Sequence, residues 1–427
     1  MSSKRKVVAC LTGAIVPLLF AMVGSASADE QFAVSKIITV PGGLKSFDIG
    51  FDDANIHTYV LADRTNKAID VVDTNSNTVT TQLTGCGPKV ASPSPPSCSV
   101  FVGGSGGTGG PNGVIIVDHK EVWAGDGNSH IVAINMADNS VLLNTTTGGS
   151  QRADELCEDV GHEVVLIAND EAVDSFVSFW STETHAMVGK IVFKAGGLNN
   201  TKNIIANGIE QCKHDPRTDK FYLNIPATGS TGTGPGVVLK ISTHAPFEVE
   251  DVIPVDPSCV GNAGLAIGPK HQILLGCSAT GTGSVIIDDR TGDTLRKLPG
   301  QSSDEAWYNA GDNQYFLAGS NLTPPSLGVV DPNGSEDAFA TTQGGSHSVA
   351  ADMLKNQVYV PANSGGGICG TTSTTGCIAV FTAKNDDKCL AEGMPVLDHD
   401  DGDDPVFMRV RCDDDHRGDR DDNDRDR

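Results

Sequence analysis

Four short runs rich in Val, Ile, Thr and Tyr, split by Asp, Asn and Gly, recur roughly every 40–60 residues along this chain. The clearest copy starts at Ser46-Phe47-Asp48-Ile49-Gly50-Phe51-Asp52 and continues through His57–Arg64, Ala68–Thr74 and Thr78–Leu83. Alternating β-branched and polar residues bounded by turn formers give an antiparallel meander. One such sheet cannot bury both of its faces, so neighbouring copies must cover them. A sheet repeated at this period therefore predicts a propeller, an all-β ring of blades.

Aligning the copies places the innermost strands near Phe47-Asp48, Asn112-Gly113, Asp154-Glu155, Glu210-Gln211, Ala263-Gly264, Asp304-Glu305 and His347-Ser348. A more apolar second strand follows each, such as Tyr59-Val60-Leu61 and Val358-Tyr359-Val360. The count fits seven blades, with six and eight as the alternatives. The last copy stops after its third strand, whereas Phe32 to Val40 is a strand with no blade of its own. It is expected to supply the missing outer strand, closing the ring without a free sheet edge. Insertions at 85–110, 227–236 and 363–376 are rich in Gly, Ser, Thr and Pro and read as surface loops.

The run Tyr59-Val60-Leu61-Ala62-Asp63-Arg64-Thr65-Asn66-Lys67-Ala68-Ile69-Asp70-Val71-Val72-Asp73-Thr74 resembles the YVTN-type β-propeller repeat, and Gln357–Asn363 repeats it weakly. The resemblance spans residues 32–383 as a repeat pattern. It implies the propeller fold and, at fold level, a lactonase- or lyase-like superfamily. It does not reproduce those enzymes' ligand motifs, and a fold assigns no chemistry.

Residues 1–28 have the layout of a secretory signal: Lys4-Arg5-Lys6, an apolar stretch from Val7 to Val23, and Ala26-Ser27-Ala28 before Asp29. An uncleaved anchor is the alternative, but Thr12, Gly13 and Pro17 interrupt the stretch. The expected organisation is a signal at 1–28, a propeller at 29–384 and an acidic Asp/Arg-rich tail at 385–427. The expected location is periplasmic or extracellular, with no membrane anchor after cleavage. Ten cysteines remain beyond Cys10, an even set that suits a disulfide framework in an exported chain. Local pairing suggests Cys86 with Cys98, Cys369 with Cys377, Cys389 with Cys412, Cys259 with Cys277, and Cys157 with Cys212.

A net charge of -24 argues against nucleic acid, which needs Lys and Arg for its phosphates. Much of that charge lies in the tail, read as a disordered, self-solvating end, with weak calcium binding or surface interaction as the alternative. The absence of Cys-x-x-Cys-His argues against covalent haem. The glycine run Gly103–Gly110 lacks the Lys of a phosphate loop, so no nucleotide is expected.

In an up-and-down blade, the start of strand one and the loop after strand two share one face. The residues aligned above therefore converge on the mouth of a central channel. They are rich in acids, and crowded like charges need an offset. A divalent cation, calcium or magnesium, is one answer, with Asn112, Asp154, Glu210 and Asp304 as ligands. Carboxyls of raised pKa are another, with Glu155, Glu305 and His347 as proton carriers. The Asp-Glu pair occurs in copies three and six, which should face each other across the opening. Trp307-Tyr308 reads as packing between blades, with stacking on a ligand as the alternative. Two functions follow. One is a binding or scaffold protein holding a small molecule, a carbohydrate or a protein partner at this mouth. The other is a metal-dependent lactonase- or lyase-type enzyme using the same residues.

Overall fold

The Asp and Asn residues that punctuate the repeats close the strands through their side chains. Asp73 Oδ1 accepts the Asn75 and Ser76 amides at 2.8 and 2.9 Å. Asp288 does the same after another third strand, and Asp159 and Asp352 do so after first strands. The strands between these turns pair into seven four-stranded antiparallel sheets. A computed structural model of the chain describes residues 32–91, 98–104, 106–171, 173–334, 337–365, 367–370 and 373–383. The expected signal, the acidic tail and the Cys389–Cys412 pair lie outside the described residues.

Blade 1 comprises Gly50–Asp53, Thr58–Asp63, Ala68–Asp73 and Thr78–Leu83. Blades 2 to 6 follow in sequence, their first strands being Val114–Val117, Arg152–Asp159, Cys212–Asp215, Asn262–Ile267 and Ala306–Asn309. Blade 7 takes Ala350–Asp352, Gln357–Ala362 and Cys377–Ala383 from the end of the chain, and Phe32–Ile38 from the beginning. That closing strand runs antiparallel to the third, from Phe32 opposite Ala383 to Ile38 opposite Ile378. The fold is therefore the expected seven-bladed propeller, closed by the N-terminal strand.

An apolar core fills each junction between blades. Tyr59, Leu61 and Val72 of blade 1 meet Tyr359, Ile378 and Val380 of blade 7. Leu166, Phe179 and Ile191 of blade 3 meet Phe221, Leu223 and Leu239 of blade 4. The second-strand tyrosines Tyr59, Tyr222, Tyr315 and Tyr359 are among the largest fully buried side chains, each contributing roughly 2 kcal/mol through burial. Four expected disulfides are formed: Cys86–Cys98, Cys157–Cys212, Cys259–Cys277 and Cys369–Cys377. Cys157–Cys212 ties the first strands of blades 3 and 4 together.

Backbone bonds also cross between blades around the mouth. Ile49 N donates to Asn112 O at 3.4 Å, Gly113 N to Asp154 O at 3.0 Å, Gln211 N to Ala263 O at 3.2 Å, and Glu305 N to His347 O at 3.2 Å. These bonds fix which residues are equivalent. They correct the alignment of blade 1 by one residue: Asp48, not Phe47, corresponds to Asn112, Asp154, Glu210, Ala263, Asp304 and His347. The pairing register shifts here in blades 3 and 5, and a bulge breaks the alternation on which such alignments rest. The position after it must sometimes be glycine. A Cβ on Gly113 would lie 2.0 Å from the Asp154 carbonyl oxygen.

Candidate functional site

Six of the seven equivalent residues at the mouth are polar, and the bulges hold them at the start of each inner strand. Asp48 is the hub. Its carboxylate pairs with the Arg64 guanidinium, and both side chains are only 8% exposed. His347 Nε2 lies 3.1 Å from Asp48 Oδ1, and its Nδ1 lies 2.8 Å from Gly345 O. The His347 ring also stacks on Phe47 at 5.3 Å. Burial works against charge on both partners. Nevertheless, Arg64 and then His347 hold the Asp48 carboxyl below its usual range. The bond to Asp48 and the nearby Asp304 lift the imidazole to about 9.

Asn112 is fully buried. Its Oδ1 accepts from Arg64 Nε at 3.1 Å, and its Nδ2 donates to Ala153 O at 2.9 Å. Both ends of the amide are thus committed to protein partners. Arg152 bonds Asp154 at 2.9 Å and reaches Asp170 at 3.5 Å. Burial raises the pKa of Asp154 well above the carboxylate range despite this cation, and its Oδ1 is buried without a hydrogen-bond partner. Burial, then Asp304 and Asp154, raise Glu210 in the same way. Burial also raises Asp304, with His347 opposing.

A second layer lies beneath. Glu155 and Glu305, from blades three steps apart, share a hydrogen bond across the channel. Both are 4% exposed. Burial raises Glu155 to about 7 and Glu305 further, so Glu305 keeps its proton and donates it to the Glu155 carboxylate. Lys213 is the cation beside them, its own pKa lowered by burial against the pull of Glu305 and Glu155. Its Nζ sits 4.8 Å from the centre of the Trp307 ring, which meets Phe51 edge-on at 5.5 Å. Trp307 therefore touches the charged layer of the channel as well as the apolar cores beside it. Gln211 Oε1 in the same layer accepts the Ala306 amide at 3.1 Å.

The structure thus brings Asp154, Glu210, Asp304 and His347 into one mouth and sets Glu155 and Glu305 below it. Sequence reasoning missed Arg152 and Lys213, the cations that hold these acids. Their signal was position. Arg152 lies two residues before Asp154, and Lys213 two residues after Gln211, so alternation puts each pair on one side of its strand. Among the described residues, the groups of three or more His, Cys, Asp or Glu with metal-ligand proximity are Asp159, His214, Asp219 and His162, Asp219, His244. Neither is at the mouth. A surface groove of about 580 Å³ beside Pro257, Thr282 and Lys297 of blade 5 includes none of the mouth residues.

No family model matches the chain, and no curated protein does. Solved structures do. The chain is similar to one from a mitotic checkpoint complex, with a TM-score of 0.56 at 11% identity over 82% of this chain and 96% of that one. The WD40 β-propeller domain of Doa1 gives 0.55 at 12% identity, covering 83% and 98%. The WD40 domain of Neurospora crassa Pan2 gives 0.55 at 10% identity, covering 84% and 98%. These likenesses establish the propeller and leave its chemistry to the mouth itself.

Proposed function

We propose that this is an exported binding protein that takes a positively charged group, presented by a protein partner or a small ligand, into the acidic mouth of its channel. One observation carries the reading. The acids Asp48, Asp154, Glu155, Asp170, Glu210, Asp304 and Glu305 outnumber the cations Arg64, Arg152, Lys213 and His347. Burial and mutual repulsion therefore leave several carboxyls short of counter-charge, and an ammonium or guanidinium group would supply it. Four disulfides support an oxidising, exported setting. WD40 domains among the similar folds are compatible with a binding role.

A divalent cation at the same mouth is the second reading, favoured by the unpartnered oxygens Asp154 Oδ1 and Glu305 Oε2. Calcium or magnesium would supply a Lewis acid there, held by Asp154, Glu210 and Asp304. Asn112 does not fit this set, because Arg64 and Ala153 occupy its amide. Glu155, Glu305 and His347 hold the protons that a lactonase- or lyase-type reaction would need.

Thermal shift tests the proposal, with a panel of amines, basic peptides, neutral sugars, uronic acids, lactones and divalent salts. A basic ligand should raise the melting temperature of the native chain and leave Glu210→Gln/Asp304→Asn unmoved. A response confined to sugars or divalent salts would refute the proposal, as would a basic ligand acting equally on both proteins.

A further inference from the structure

We propose that the far face of the ring carries a zinc-class metal site at the junction of blades 3 and 4, centred on Asp219, with Asp159 and His214 as its ligands on one side and His162 and His244 on the other. The up-and-down course of each blade sends the turns after strands one and three to the face opposite the mouth. Asp159 ends the first strand of blade 3, and His162 lies in the turn that follows. His214 is in the first strand of blade 4, Asp219 is in its next turn, and His244 is in the turn after its third strand. Three turns and two strand ends thus meet on one side of one junction.

The donor atoms fall into two triads that share Asp219, one with Asp159 and His214 and the other with His162 and His244. His162 Nδ1 is 2.7 Å from Asp159 Oδ2 and 3.6 Å from Asp219 Oδ1. His214 Nε2 is 3.6 Å from Asp159 Oδ2 and 3.8 Å from Asp219 Oδ1. Donors bound to one tetrahedral ion with bonds of about 2.0–2.1 Å lie roughly 3.3 Å apart; the 3.6 and 3.8 Å spacings come close to that value, and the 2.7 Å contact is a hydrogen bond between His162 and Asp159. His244 joins His162 and Asp219 in a triad whose ligand atoms lie within 4.8 Å of one another.

A second observation points to a ligand. His214 Nε2 is buried and has no hydrogen-bond partner, although its side chain is only 11% exposed and the atom faces these donors. A buried ring nitrogen with nothing to bond is costly unless something unseen satisfies it. The surroundings also pre-set the donors. Asp159 Oδ1 accepts the Gly161 and His162 amides at 2.9 and 3.2 Å, leaving Oδ2 for the site. Thr243 Oγ1 donates to Asp219 Oδ1 at 2.9 Å. The Cys157–Cys212 disulfide joins the two strands two residues before Asp159 and His214, so the buried donors from the two blades are stapled at a fixed distance. Imidazole nitrogens beside carboxylates suit zinc and its neighbours, whereas calcium and magnesium prefer all-oxygen shells. Side-chain exposures of 41% for His162 and 48% for Asp219 leave the site open to incoming metal.

The site stands on the face opposite the mouth and is independent of the function proposed above. The test uses the untagged full chain, stripped with a chelator and titrated with Zn²⁺ against a chromophoric competitor. One ion per chain should bind, raising the melting temperature. His162→Gln/His244→Gln, both at turns, should weaken uptake at least tenfold without lowering the melting temperature of the metal-free protein. Co²⁺ should give a visible spectrum of four- or five-coordinate intensity in the native chain and not in the variant. His214→Gln should abolish uptake; if it does not fold, the turn variants alone decide. Absence of stoichiometric uptake, or uptake indifferent to His162→Gln/His244→Gln, would overturn the proposal.

Discussion

Replacing His347 with Gln should remove a stabilising charge only where the imidazole is protonated, and the pH dependence of that loss is fixed by the structure. The imidazole is held at about 9 against an ordinary 6.5 by its bond to Asp48 and by Asp304, despite its burial. A folded-state pKa raised above the unfolded one stabilises fully below pH 6.5, and the contribution disappears as pH rises through about 9. The full difference corresponds to roughly 3 kcal/mol. A quarter of the side chain faces water, so about 2 kcal/mol is the better figure. A folded ring of roughly 350 residues has an unfolding entropy near 0.7 kcal/mol/K, so His347→Gln should melt about 3 °C lower. Gln can still donate to Asp48, and Arg64 remains paired with it, which isolates the charge. The assay is differential scanning fluorimetry of both proteins from pH 5 to 10. Burial also raises Asp63 and Asp126 to about 6, Glu155 to about 7, and Asp52 and Glu158 to about 8. Both proteins should therefore lose stability as pH climbs. The gap between them should hold near 3 °C below pH 6.5 and close above pH 9. A gap that stays constant across the range, or widens in base, would show that His347 acts by packing on Phe47 and not through its charge.

Two further perturbations probe the ring. Lys213→Met should cost about 3 kcal/mol at pH 8, where Glu155 is ionised and left without its cation, but much less at pH 5, where the Glu155–Glu305 pair is protonated. Chemical denaturation at the two pH values checks this, and equal losses would contradict it. Cys157→Ala/Cys212→Ala opens a link spanning 55 residues, for which chain entropy gives about 4 kcal/mol. The double variant should lower the denaturation midpoint and also weaken Zn²⁺ uptake at the far face; a midpoint equal to that of the native chain would refute the estimate.

The fold was legible because each level of the sequence says the same thing. Turn residues, strand alternation and the orphan strand at Phe32–Ile38 agree on one closed ring, and local cysteine pairing needs only that ring to be true. The mouth was legible in part. Acids at the start of the inner strands are visible once the copies are aligned, and Glu155 and Glu305 do meet across the axis. The partners of those acids were not visible. A bulge shifts blade 1 by one residue, which moves Asp48 into the ring of acids, and the alternation that sets Arg152 with Asp154 and Lys213 with Gln211 does not by itself say which side faces the channel. The histidine cluster was hidden for a different reason. Its ligands are 3, 5, 25 and 52 residues apart along the chain, as in His162 to Asp159, His214 to Asp219, Asp219 to His244 and His162 to His214, so no compact motif exists to find. The same strands that gather the mouth at one end gather this cluster at the other. In a propeller, each blade presents residues at both faces of the ring, so such a fold can build sites at the far face as readily as at the mouth.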